Sequence, residues 1–229
     1  MTAYFVYDVF TDQPFGGNQL AVFPDAATLP QDKLQSIARE FNFSEVTFVY
    51  PPVDPANTAK VRIFTPSHEL PFAGHPTVGS AILLAELANT RDFAVTITLE
   101  EQAGLVPVDV LRSGDVISAE FTAPVIPHAV AGATVNPEQA AAALGLSVHD
   151  IGFGGHKPNC LQGGPDFIYV PVNSRDALRN ARVNSAAWET LVAATKTESV
   201  YAYCTDETGF SSRMFAPGHG MPEDPATGS

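Results

Sequence analysis

A long internal repeat constrains this chain more than any other feature of its sequence. The segment Val61–Ser80 returns near the C-terminus as Ser211–Ser229. Four residues recur at the same spacing, namely Arg62, Phe64, Pro66 and His68 in the first copy and Arg213, Phe215, Pro217 and His219 in the second. Copies this far apart are not solenoid units, whose periods are roughly 20–50 residues. The repeat therefore predicts two related halves, each with a strand that ends in a polar turn.

The domain organisation follows from the repeat and from one passage rich in proline and alanine. Pro124–Pro137 has the composition of a boundary between domains. We therefore predict an N-terminal half at residues 1–125 and a C-terminal half at residues 126–229. The first half continues beyond Ser80 through a helix and further strands, whereas the sequence stops at Ser229. A helix equivalent to that of the first half would begin near Ala226, so the sequence predicts a second half that is incomplete after Ser229.

The bulk composition narrows the possible partners. The chain has 229 residues, of which 45% are hydrophobic, and its mean hydropathy of +0.05 is that of a soluble globular protein. Its net charge of −13 would repel a phosphate backbone, so nucleic acid is a poor partner. No apolar stretch approaches the roughly 20 residues needed to span a bilayer, and the N-terminus lacks the basic region of a signal peptide. We expect a cytoplasmic protein without a membrane partner.

The two cysteines, Cys160 and Cys204, do not have the spacing of metal ligands. Reduced thiols fit a protein without secretion signals better than a disulfide does. We expect both to be ordinary buried or half-buried side chains.

The local patterns of the first half predict an α+β fold. Strand-like alternation is seen in four segments before residue 75 and again from Phe93 onward. Between them, Thr77–Leu87 is apolar around nearly its whole circumference, which is typical of a helix that is buried on all sides. We expect a curved sheet wrapped around this central helix. The turn Gly74–Thr77 would lie at the helix N-terminus, where backbone N–H groups favour an anion.

Three polar residues are candidates for chemistry. Glu45 lies between an amphipathic helix and an apolar strand, where partial desolvation would raise its pKa toward the range useful for proton transfer. It could instead be a strand-end glutamate that faces water. His75 and Asp224 could each act chemically or simply cap a helix, because both stand beside a proline at a predicted helix start. Ser80 and Ser229 could be no more than small residues in the first helical turns.

Other kinds of site have little support in the sequence. There is no G-x-S-x-G motif for a serine nucleophile. The histidines His68, His75 and His219 do not have a recognised metal-ligand spacing. The Gly16-Gly17-Asn18 turn lacks the spacing of a dinucleotide-binding loop. We therefore expect no metal and no cofactor.

Several motifs in order along the whole chain resemble one enzyme family. They are FTDQPFGGNQLAV at Phe10–Val22, NFSEV at Asn42–Val46, RIFTP at Arg62–Pro66, ELPFAGHPTVGS at Glu69–Ser80 and EDPATGS at Glu223–Ser229. Together they resemble the PhzF-like phenazine biosynthesis isomerases. The resemblance implies a diaminopimelate epimerase-like fold, with two pseudo-symmetric halves, each a β-barrel-like sheet around a central helix. It also implies a homodimer with the active site in the cleft between the halves.

The same resemblance implies a reaction and its residues. It implies cofactor-free relocation of a proton on a small unsaturated carboxylic acid, with Glu45 as the acid/base and with His75 and Asp224 as the polar pair that faces it. It further implies that Asn18, Gly74, Gly228 and Ser229 approach the substrate. The related racemases place a cysteine at each helix N-terminus, whereas Cys160 and Cys204 lie in neither turn, so two-thiol racemisation is excluded.

Two other functions remain open on the sequence. The chain could be an epimerase or racemase of an amino-acid-like substrate, although a single base at Glu45 would then have to serve both faces. It could also be a non-catalytic relative that binds a small metabolite or a protein partner. Proton exchange that depends on Glu45 would separate the enzymes from the binding protein, and loss of optical activity would separate an epimerase from an isomerase.

Overall fold

The computed structural model describes residues 2–207 and 209–228. Its internal contacts divide the chain into two units, one of residues 1–126 with 226–229 and one of residues 127–225. Residues 226–228, which the repeat assigned to the second half, thus belong to the first unit. Residues 226–228 are not helical, so the helix expected near Ala226 is not among the described elements.

The first unit contains eight strands and two α-helices in its described residues. They are β1 (Phe5–Val9), β2 (Asn18–Phe23), α1 (Leu34–Phe41), β3 (Glu45–Tyr50), β4 (Ala59–Phe64), β5 (Glu69–Leu70), α2 (Gly74–Ala88), β6 (Phe93–Glu101), β7 (Gly104–Ser113) and β8 (Val116–Phe121). The strands form one mixed sheet in the order β1-β2-β3-β4-β6-β7-β8, with β5 paired to β4. Because β2 and β3 are parallel, the connection between them must cross from one end of the sheet to the other, and α1 lies in this crossover.

The central helix predicted from the sequence is α2. Its first eight residues, Gly74–Ala81, are all buried, as are Leu83 and Ala85. Of these, Val78, Ala81, Leu83 and Ala85 form one core cluster with apolar residues of the sheet. Burial on every side was wrong for its last turn, where Leu87 is 55% exposed. The last two residues of α2, Leu87 and Ala88, are both exposed.

The second unit repeats this plan with fewer strands. Its described elements are β9 (His128–Ala129), α3 (Pro137–Ala143), β10 (Asn159–Gln162), β11 (Asp166–Pro171), α4 (Arg175–Asn180), α5 (Ser185–Thr195), β12 (Val200–Asp206), β13 (Gly209–Ala216) and β14 (Met221–Asp224). The sheet runs β14-β13-β12-β11-β10-β9, and its core lies between the sheet and the helices. Cys160 and Cys204 are both buried in this unit as free thiols.

The strand pairing of the two units is the same. In the first, successive pairs from β1 to β5 are antiparallel, parallel, antiparallel and antiparallel. In the second, the pairs from β10 to β14 follow the same order. The repeated sequence segments thus occupy equivalent strands, β4 and β13.

A repeated arginine clamp explains why Arg and Phe recur in the repeat. On β4, Arg62 donates two hydrogen bonds of 2.7 Å to the carboxylate of Glu69, and its guanidinium lies 5.0 Å from the ring centroid of Phe64. A planar guanidinium can satisfy both contacts at once because its fork binds the carboxylate while its face covers the ring.

The second unit builds the same clamp. On β13, Arg213 donates two hydrogen bonds of 2.7 Å to Glu223 and lies 4.8 Å from the ring centroid of Phe215. Glu223 is therefore the structural equivalent of Glu69, a match that the sequence comparison did not make because the turns differ in length. The described residues contain no helix long and apolar enough to cross a membrane.

Candidate active site

Three chain segments begin at the same place in the first unit. Asn18 is the first residue of β2, Glu45 is the first residue of β3, and His75 is the second residue of α2. The strands β2 and β3 are parallel neighbours with Leu20 opposite Glu45, so their N-terminal ends lie at the same end of the sheet. The first turn of α2 lies at that end, where the three side chains come into contact.

The centre of this cluster is a contact between His75 and Glu45. His75 Nδ1 lies 3.2 Å from Glu45 Oε2 and 3.3 Å from Asn18 Nδ2. His75 is 1% exposed and Glu45 is 6% exposed. The interpretation of Glu45 as a strand end that faces water is therefore wrong. His75 does not cap the helix either, since the N-cap of α2 is Ala73.

Burial decides the charge of His75. Desolvation lowers the pKa of His75 from 6.5 to about 3, against a smaller raising effect of a hydrogen bond with the Gln19 backbone. The ring is therefore neutral at physiological pH, and its 3.2 Å contact with Glu45 is not an ion pair. Because the amide nitrogen of Asn18 can only donate, Nδ1 is the acceptor in its contact with Asn18, and the single N–H of the neutral ring lies on Nε2. Of this pair, Glu45 is the group left to take up and release a proton.

Two glycines allow other segments of the backbone to pack closely against the start of α2. A Cβ at Gly74 would lie 1.9 Å from the carbonyl oxygen of Gly228. Gly228 has φ +68°, and a Cβ there would lie 2.4 Å from the ring of Phe10. Asn18 Nδ2 donates to the Ala226 carbonyl at 2.9 Å. The structure thus brings Asn18, Gly74 and Gly228 together beside His75.

Sequence reasoning missed two hydroxyl groups that hold this arrangement. Ser80, interpreted as a small residue, is buried and donates a hydrogen bond of 2.9 Å to Thr47. Thr47 is two residues beyond Glu45 on β3, so both side chains lie on the same face of the strand. The bond ties α2 to the strand that carries Glu45. The alternation along β3 was the available signal for this contact.

A second hydroxyl, that of Thr77, lies 2.7 Å from Glu101 Oε1. Glu101 is the last residue of β6 and is buried. The adjacent Glu100 and Glu101 have the composition of a solvated strand end, so the sequence gives no signal for this buried carboxyl.

The remaining predicted residues are placed differently. Asp224 is buried at the end of β14 in the second unit. Ser229 lies outside the described residues. Among the described residues, no three His, Cys, Asp or Glu side chains are grouped as a metal site would require.

The sequence and fold of this chain match those of known proteins along almost the whole length of this chain. The family model described as phenazine biosynthesis-like protein matches residues 7–229. An uncharacterised isomerase of Mesorhizobium japonicum is 43% identical over 99% of this chain and 76% of its own length. A trans-2,3-dihydro-3-hydroxyanthranilate isomerase of Pseudomonas fluorescens is 37% identical over 100% of this chain and 77% of its own length.

Solved structures agree with the sequence matches. A Pseudomonas aeruginosa protein named as a predicted epimerase is 33% identical, with a TM-score of 0.82 over 100% of this chain and 78% of its own. The fold is α+β and diaminopimelate epimerase-like, as the sequence predicted.

Proposed function

The chain belongs to the phenazine biosynthesis-like family and is an isomerase, and from that premise we propose that it relocates a proton on a small unsaturated carboxylic acid without a cofactor. The proposed substrate is dihydroanthranilate-like. Glu45 would remove a proton from one carbon of the activated acid and return it at another. His75 and Asp224 would act as the polar partners of this transfer.

The observation that carries the proposal is the buried contact between Glu45 and neutral His75. A carboxylate that exchanges a proton with carbon works best when it is shielded from bulk water. Glu45 meets this condition through its burial, and its Oε2 atom lies 3.2 Å from His75 Nδ1. A histidine with its pKa lowered to about 3 does not compete with Glu45 for the proton at neutral pH.

The start of α2 supports the choice of an acid as substrate. Backbone N–H groups in the first turn of a helix and the positive end of its dipole favour a carboxylate or an enolate-like negative charge. Gly74 has no Cβ and already lets one acceptor, the Gly228 carbonyl oxygen, lie against this turn. We assign substrate contacts to Asn18, Gly74, Gly228 and Ser229.

An epimerase is the second candidate, favoured by the solved relative named as a predicted epimerase. Epimerisation returns the proton to the same carbon from the opposite face, which usually requires a base on each side. Because the first unit presents one buried acid/base at this cluster, Glu45, proton relocation between carbons fits it better.

The test is proton exchange in D2O followed by NMR. The substrates would be trans-2,3-dihydro-3-hydroxyanthranilate and a small panel of unsaturated acids and amino acids. We expect deuterium at a new carbon with the wild type and a loss of about 10²–10⁴-fold in rate with Glu45→Gln. Glu40→Gln, an exposed glutamate on α1, is the matched control and should keep the wild-type rate.

Other outcomes have clear meanings. Deuterium at the original carbon with loss of optical activity would establish the epimerase instead. Unchanged exchange in Glu45→Gln would remove Glu45 from the mechanism. The proposal also includes a homodimer in the cytoplasm, which sedimentation and cell fractionation would test.

A further inference from the structure

Glu101 is a buried carboxyl that the proposed chemistry does not use. It ends β6 and is 8% exposed. Its Oε1 atom contacts the Thr77 hydroxyl, and its Oε2 atom has no hydrogen-bond partner among the described residues. A buried ionised carboxylate normally has a cation or several hydrogen-bond donors around it. Within the described ranges, Glu101 has one hydroxyl and no ion pair, so its protonation state needs a separate explanation.

The number of hydrogens available for the contacts of Thr77 explains the protonation state of Glu101. Thr77 Oγ1 lies 2.7 Å from the Ala73 carbonyl oxygen and 2.7 Å from Glu101 Oε1. Both distances are those of O–H···O hydrogen bonds. A threonine hydroxyl has one hydrogen, and a carbonyl oxygen has none. If Glu101 were ionised, one of the two contacts would place two acceptor oxygens against each other. A proton on Glu101 removes this conflict, because Glu101 then donates to Thr77 and Thr77 donates to Ala73.

We propose that Glu101 is a neutral carboxylic acid and, through Thr77, a positioning residue for the first turn of α2. Ala73 is the N-cap of this helix, and its carbonyl also accepts the Thr77 N–H at 3.2 Å. Holding that carbonyl fixes the plane of the Ala73–Gly74 peptide, and hence the direction of the Gly74 N–H. His75 follows directly. The proton on Glu101 thus orients the turn that carries the candidate site.

The surroundings of Glu101 agree with the neutral form. Burial raises the pKa of Glu101 to about 8, and the Thr77 hydrogen bond lowers it by less. Glu101 lies in the lining of a surface groove, and the other charged groups of that groove are Lys60, Arg62, Glu69 and Glu100. Arg62 is engaged by Glu69, and Glu100 accepts hydrogen bonds from Asn57 and from the Val53 and Asp54 backbone. From α2, the group that contacts Glu101 is the Thr77 hydroxyl.

Isotope-labelled NMR of the full chain tests the proposal without reference to activity. The Glu101 carboxyl carbon, assigned by its absence in Glu101→Gln, and the Gly74 and His75 amides would be followed from about pH 5 to about pH 10. We expect the carboxyl to titrate far above the ordinary glutamate value of about 4.3 and the amides to move with the same midpoint. The amide movement should vanish in Glu101→Gln. The proposal would be overturned if the carboxyl had an ordinary midpoint. It would also be overturned if the Gly74 and His75 amide shifts did not change with the carboxyl titration.

The pH dependence of turnover is the second readout, and it rests on the proposed function. If only the neutral form positions the site, kcat should fall about tenfold for each pH unit above the Glu101 midpoint. Glutamine mimics the neutral acid because its N–H can donate to Thr77, so Glu101→Gln should keep activity at pH 7 and lose this alkaline decline. Glu100→Gln should keep the wild-type profile. An alkaline decline that persists unchanged in Glu101→Gln would refute the positioning role. If no substrate turns over, the NMR result still decides the inference.

Discussion

Replacing Glu101 by glutamine should stabilise the protein, and increasingly so as the pH rises. The pKa of Glu101 is raised from 4.5 to about 8 by burial, so the folded protein binds a proton that the unfolded chain releases between these values. Stability that is fully present below the unfolded pKa is therefore lost as pH rises toward the folded pKa. Each pH unit in this window costs about 1.4 kcal/mol. The loss reaches about 3 kcal/mol at pH 7 and about 4 kcal/mol at pH 8.

Glutamine does not titrate, so the Glu101→Gln variant should not lose this part of its stability as the pH rises. The assay is urea unfolding of wild type and variant at a series of pH values. The difference in the free energy of unfolding should grow from about pH 4.5 to about pH 8 and then level off. His75 titrates with the opposite sign, because its pKa is lowered from 6.5 to about 3 and its contribution rises with pH in that interval. It is present in both proteins and cancels in the difference.

The neighbouring glutamate provides the matched control. Hydrogen bonds from Asn57 and from the Asp54 and Val53 backbone lower the pKa of Glu100. Its stabilisation is present above the unfolded pKa and is lost on acidification, so Glu100→Gln should destabilise the protein at neutral pH. A Glu101→Gln difference that stays constant with pH, or falls as pH rises, would refute the reasoning that Glu101 is neutral in the fold.

Two further substitutions test how the first unit holds its candidate site. Gly74→Ala would place a Cβ 1.9 Å from the Gly228 carbonyl oxygen, so we expect the melting temperature to fall with a cost of about 1–3 kcal/mol, and an unchanged melting curve would contradict the close approach. Ser80→Ala leaves the buried Thr47 hydroxyl without its donor and should cost about 1–3 kcal/mol in urea unfolding. Adding Thr47→Val should recover part of that loss, whereas purely additive costs would show that the two hydroxyls do not interact.

Much of the architecture could be predicted because it depends on local patterns. The strand-like alternation from Phe93 onward is confirmed by β6, which begins at Phe93. The apolar run Thr77–Leu87 predicted the central helix, which begins three residues earlier at Gly74. These features follow from side-chain period and turn residues, which are properties of neighbouring positions.

The errors occurred where long-range packing decides the outcome. Leu87 is apolar and lies in the predicted central helix, yet it is 55% exposed. Ser80 was interpreted as a small residue, but its hydroxyl bonds to Thr47, which is 33 positions away. The equivalence of Glu69 and Glu223 was missed because the turns before them differ in length, although each binds the arginine of its own unit.

The sequence by itself determined the two related halves, the family and the residue types of the site. Only the tertiary structure decided the protonation of that site. His75 is neutral and Glu101 holds a proton because the sheet and α2 exclude water from both, which no pattern along the chain records. Desolvation depends on the atoms that surround a group in space, and those atoms come from distant segments. The sequence therefore supplies the groups that can hold protons, and their burial in the tertiary structure determines which of them are protonated.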